Sequence, residues 1–73
     1  MHIIYTCHAR VRMSAEDRDV SDAEVEMTLA DPDVRRPGRE GARIADKRVG
    51  GRMISVVYRE DNDDIIVITV AVT

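Results

Sequence analysis

Ala42–Arg59 reads ARIADKRVGGRMISVVYR, and this stretch decides the fold. Two runs of strand-forming residues flank Gly50-Gly51. Consecutive glycines supply the positive φ angles that a two-residue hairpin turn demands. In the second run Ile54, Val56 and Tyr58 share one face at period two, and Met53, Ser55 and Val57 share the other. The pattern predicts strands over Ala42–Val49 and Arg52–Arg59. Arg43, Lys47, Arg48, Arg52 and Arg59 decorate the pair, so the hairpin also carries much of the positive charge.

Beyond the hairpin, Glu60–Asp64 is a polar turn and Ile65–Val72 is a nearly unbroken apolar run, predicted as a third strand. A run apolar on both faces belongs inside a sheet, or under a helix or partner. Val56, Ile66 and Ile68 are expected in the core. Before the hairpin, Val34–Arg39 (VRRPGR) is extended or looped, with a turn signal at Pro37-Gly38. Asp31-Pro32 stops a helix predicted over Ser21–Ala30. Ser21 is its N-cap, Glu24 completes a capping box, and Val20 with Val25 can form a hydrophobic staple. Thr6 caps a first helix predicted over Thr6–Arg18, and Ile3–Tyr5 is either a first strand or the lead-in to that helix. The expected architecture is α+β: residues 1–73 form one domain, with two N-terminal helices packed on one face of a three- to four-stranded antiparallel sheet.

The chain has 73 residues, with no Trp and no Phe. Such a core is aliphatic and leaves little volume for a deep cleft, which argues against a cofactor enzyme, and no cofactor is expected. Cys7 is the sole cysteine and is expected as a small buried hydrophobe. A lone thiol fits a reducing, cytoplasmic setting. No apolar run reaches membrane-spanning length, so no membrane is expected among the partners. His2 and His8 lack a third convergent ligand, so no metal site is expected.

The net charge is −3, but it is segregated. The balance is +2 before Glu16, −7 over Glu16–Asp33, +6 over Val34–Arg59 and −4 from Glu60 onward. The basic middle either creates a local positive field or pairs with acids on the helix. His8 and Arg12 are four apart on the first predicted helix and share a face. An imidazole and a guanidinium so placed can act on one phosphate.

The blocks HARVRM (His8–Met13), VSDAEVEMTLADPD (Val20–Asp33), the arginine loop, GGRMISVVY (Gly50–Tyr58) and IIVITVAVT (Ile65–Thr73) form an ordered set. That set resembles a family of small bacterial and archaeal proteins whose signature begins H-A-x-x-R-M. It is a domain of unknown function grouped with the RelE/ParE/BrnT-like toxin superfamily. The resemblance spans nearly the whole chain and implies the same helix-on-sheet fold. It also implies a type II toxin-like protein neutralised by an antitoxin. Some members of the superfamily cleave mRNA, often on the ribosome and usually without metal, and others poison gyrase; a metal-independent endoribonuclease is the expectation for this chain. Carried onto this chain, the catalytic set would be His8, Arg12, Arg52 and Tyr58. Arg36, Arg43, Lys47 and Arg48 would hold RNA. His8 would move protons, the arginines would stabilise the phosphorane, and Tyr58 would stack on a base or donate a proton. The acidic balance departs from the basic character of RNA-cleaving relatives.

The alternative is a non-catalytic module that binds a partner, or a homodimer formed through a sheet edge. Convergence of His8, Arg12, Arg52 and Tyr58 on one open groove would mark the enzyme.

Overall fold

The computed structural model describes residues 2–16 and 18–73. In chain order the elements are β1 (His2–Tyr5), α1 (Cys7–Ser14), α2 (Asp22–Ala30), β2 (Val34–Pro37), a 3-10 turn (Arg39–Gly41), β3 (Arg43–Val49), β4 (Arg52–Asp61) and β5 (Asp64–Val72). The strands form one sheet in the order β1-β5-β4-β3-β2. α1 packs on β5, and α2 packs on β4 and β3. Buried side chains from both helices join those of β3, β4 and β5 in a single core. The architecture is therefore α+β with both helices on one sheet face, as expected. No helix among the described residues is long and apolar enough to cross a membrane.

The sheet differs from expectation in two respects. It has five strands, and it is mixed, because β1 runs parallel to β5. Ile3–Tyr5 thus resolves as a strand. The helix pair carries the chain over the sheet between β1 and the rest, and a crossover of this kind permits parallel pairing. The arginine segment becomes edge strand β2, antiparallel to β3 and exposed throughout.

The local signals operate as read. Gly50 (φ 59°) and Gly51 (φ 82°) make the hairpin turn between β3 and β4. Ser21 Oγ accepts from Glu24 N at 3.1 Å, and Glu24 Oε1 accepts from Ser21 N at 3.0 Å. Val20 and Val25 are both buried. α1 is shorter than the predicted Thr6–Arg18 and ends at Ser14. Its buried residues are Ala9 and Met13, and the acids Glu16 and Asp19 beyond it oppose the helix dipole. Asp17 lies outside the described residues. Cys7 is exposed, which corrects its expected burial: it is the first residue of α1, on a turn that faces solvent.

β5 corrects the predicted core. Val56 is fully buried, but Ile66 and Ile68 are half-buried on the opposite face, while Val67 and Val70 are fully buried. The register shows why. Val57 pairs with Thr69 and Tyr58 pairs with Val67, so Ile68 is an extra residue in a β-bulge. Before the bulge Ile65 and Val67 face the helices, and after it Val70 and Val72 do. A strict period of two cannot describe this strand. Thr6, the N-cap of α1, fastens the bulge. Its N–H donates to Val67 O at 3.1 Å, and its hydroxyl donates to Ile68 O at 3.0 Å.

Candidate functional site

Strand alternation divides the predicted site between the two faces of the sheet. Pairing sets the rows: Arg36 beside Ile44, Ile44 beside Val57, Val57 beside Thr69. This row lies on the face away from the helices, where Arg48, Met53 and Arg59 also lie. Lys47, Arg52 and Tyr58 lie on the helix side, with Ile54 and Val56. Adjacent residues such as Lys47 and Arg48 cannot contribute to one patch.

On the helix side, each predicted residue already has a structural partner. Tyr58 is 1% exposed, and its hydroxyl accepts from Arg35 Nη1 at 2.8 Å. Arg35 also donates to Leu29 O at 3.2 Å, which ties β2 to the end of α2. The Tyr58 ring is therefore core, and no base can stack on it. Arg52 donates to Glu24 Oε2 at 2.7 Å and to the Arg18 carbonyl. The Glu24 carboxyl is held below the usual carboxylate range, first by the Ser21 N–H and then by Arg52. Lys47 donates to Asp31 O at 2.9 Å and lies 3.6 Å from Asp31 Oδ2 and 3.8 Å from Asp33 Oδ1. Arg43 lies 3.8 Å from Glu60. Arg52 and Tyr58 are six residues apart on β4, about 20 Å along an extended strand.

His8 and Arg12 lie on α1, over β5 rather than β4. His8 is exposed, and its imidazole has no hydrogen bond among the described residues. Arg12 is half-buried, and its Nε is buried without a partner among the described residues. The four residues expected to be catalytic thus lie at three places: α1, where His8 is exposed and Arg12 half-buried, the core under α2, and an ion pair at the start of α2.

The open face has a different character. Its middle is aliphatic: Ile44, Met53, Val57, Ile66 and Ile68 are half-buried, and Ile4 at its β1 side is 46% exposed. Both tyrosines face the helices; Tyr5 packs against the core with Arg10 stacked 4.0 Å from its ring centroid. Arg36 donates to Asp46 Oδ2 at 2.7 Å, and Ser55 donates to Asp46 Oδ1 at 2.6 Å. Arg36, and then Ser55, hold the Asp46 carboxyl below its usual range. The charges near the middle are therefore mutually neutralised. At one end of the face the Arg48 guanidinium has no partner among the described residues. At the other end Asp61 pairs with Asp64 across the β4–β5 turn, and His2 Nδ1 lies 3.4 Å from Asp64.

Two clefts open at the sheet margins. One of about 510 Å³, between the end of α2 and the β4–β5 turn, is lined by Arg35, Tyr58, Glu60 and Asp63 among others. The other, of about 340 Å³, lies where β2 turns into β3 and includes Arg35, Arg36 and Arg43. Both are shallow and open to solvent. No group of three or more His, Cys, Asp or Glu among the described residues could hold a metal.

Sequence reasoning did not single out the open face, Asp46 or Arg35. The signal for the first was present, since Met53, Ser55 and Val57 already formed a second face of β4. The partners of Asp46 and Arg35 come from other strands, so no local pattern announces them.

A family model described as a domain of unknown function (DUF4258) matches residues 5–72, and the chain belongs to that family. Comparison with curated proteins and with solved structures finds no match to this chain.

Proposed function

We propose that this DUF4258 member is a protein-binding module that docks its partner on the uncovered face of the sheet. One observation carries the reading: both helices cover the same side, and the other side presents aliphatic residues on four adjacent strands with no other element of the described residues over them. A two-layer domain normally buries only one sheet face, and that exposed face is then polar. Here Ile4, Ile44, Met53, Val57, Ile66 and Ile68 occupy it. A contiguous apolar surface rimmed by charge is the signature of a protein interface.

A second reading is the toxin-like endoribonuclease with an antitoxin as its partner. The resemblance of His8–Met13 to the H-A-x-x-R-M signature supports it, as do the guanidinium groups of Arg39 and Arg48, which have no partner among the described residues. The dispersal of His8, Arg12, Arg52 and Tyr58 weighs against it, as does the pairing of most sheet arginines with acids. RNA-binding faces use aromatic rings as stacking platforms, and among the described residues the open face has no Tyr, Phe or Trp, only His2 at its margin.

The test places a photo-crosslinking amino acid at Val57, on the open face, or at Val11, which is 66% exposed on α1. The variants are expressed in the native host and irradiated. A discrete protein adduct from position 57 and none from position 11 is the expected result. No protein adduct from position 57 overturns the proposal, and an RNA adduct there replaces it with the second reading.

A further inference from the structure

We propose that the open face is occupied by a second copy of this chain, packed sheet to sheet about a two-fold axis in the plane of the face and across the strands. This rests on the protein-binding reading and names its partner.

Three observations favour a copy of the same chain. The first is charge. Rows along the strands run from Arg48 and Met53, through Asp46 and Ser55, then Ile44 and Val57, then Arg59 and Ile66, to Asp61 and Asp64. The Asp33 carboxylate accepts from the Arg48 backbone N–H at 2.9 Å, but the Arg48 guanidinium has no acidic partner among the described residues, and Asp61 at the other end has no basic one among them. The two-fold axis lays the Arg48 end of one copy over the Asp61 end of the other, twice. A surface that is complementary to itself end for end is what an isologous interface requires. The axis also places the aliphatic middle rows, around Val57, against their own equivalents. The Arg36–Asp46–Ser55 group enters such an interface already neutralised.

The second is area. The strands have four, four, seven, ten and nine residues. At about 16 Å² of sheet per residue they present roughly 540 Å² per copy, or about 1,100 Å² for the pair, just above the roughly 1,000 Å² that a specific interface must clear. Twisted sheets stack with their strands about 30° apart, and the Ile68 bulge adds twist.

The third is the state of the edges. Both edge strands, β1 and β2, have only four residues, and β2 carries two arginines and ends in Pro37. Short edges resist strand addition, and at β2 the arginines and Pro37 add to that resistance. The face, not an edge, is therefore the surface suited to self-association. A small aliphatic core also gains from the extra burial.

The experiment is sedimentation equilibrium of the purified chain. Wild type is expected at twice the 8.2 kDa of one copy. Val57→Asp puts a carboxylate at the centre of the face, where it is solvated in the monomer, and should raise the dimer Kd roughly a hundredfold. Far-UV circular dichroism checks that this variant remains folded. Arg48→Glu and Asp61→Arg should each raise Kd roughly tenfold, and the double variant should recover most of that loss. A wild-type chain that stays monomeric at about 100 μM, or a dimer indifferent to Val57→Asp, overturns the proposal. If the chain is monomeric while position 57 crosslinks a different protein, self-association fails and the docking reading stands. If it is monomeric and position 57 crosslinks no protein, both fail.

Discussion

Thr6→Val tests the joint between α1 and the bulged strand. Valine keeps the β-branched shape and removes only the hydroxyl. In the native chain that oxygen accepts from Ala9 N at 3.1 Å and donates to Ile68 O at 3.0 Å. Loss of an N-cap side chain costs about 1 kcal/mol. The Ile68 carbonyl, partly buried, also loses this partner, which adds about 1–2 kcal/mol. The expected loss is about 2–3 kcal/mol, a large share of the stability of so small a domain. In thermal terms this is a fall of about 8–24 °C. Urea denaturation followed by circular dichroism measures it, with Thr6→Ser as the control that retains the hydroxyl and should lose under about 0.5 kcal/mol. Working in the Val57→Asp background separates folding from association. A Thr6→Val loss below about 0.5 kcal/mol would show that the hydroxyl does not fasten the bulge, and the reasoning would fail.

Two further expectations follow from the same packing. In the Val57→Asp background, Val67→Ala should cost about 2–3 kcal/mol and Ile66→Ala about 1 kcal/mol, because only the former empties the space under the helices; the reverse order by urea denaturation would place the bulge elsewhere. Glu24, held low by Ser21 N–H and Arg52, and Asp46, held low by Arg36 and Ser55, both favour the folded state when ionised. Their contribution is complete above the ordinary carboxylate range and is lost as pH falls through their depressed values, so stability should decline from about pH 5 to pH 3. Glu24→Gln should flatten that decline in thermal melts; an unchanged slope would mean that the capping box carries no linked proton.

The candidate site was only partly legible because a sequence gives the number of cations and not their partners. The excess of +6 over Val34–Arg59 is compatible both with a field available to RNA and with pairing to acids elsewhere in the chain. In the folded chain Arg36 meets Asp46, Arg52 meets Glu24, and Lys47 sits by Asp31 and Asp33. Tyr58 had the spacing of a core residue, alongside Ile54 and Val56, and that spacing described its place better than its chemistry did.

By itself the sequence determined the features written within a few neighbouring residues. Gly50-Gly51 set a turn because only positive φ closes it, and Ser21 with Glu24 set a helix start because the two bonds lie within one turn. Tertiary structure alone decided the rest. The parallel placement of β1 beside β5 joins segments about sixty residues apart. The bulge at Ile68 reverses which residues of β5 are buried, and it exists because β4 and β5 pair on both sides of it while Thr6 holds its carbonyl. β-Branched residues suit either face of such a strand equally, so nothing within Ile65–Val72 states where alternation breaks. That choice depends on the pairing of distant backbone groups.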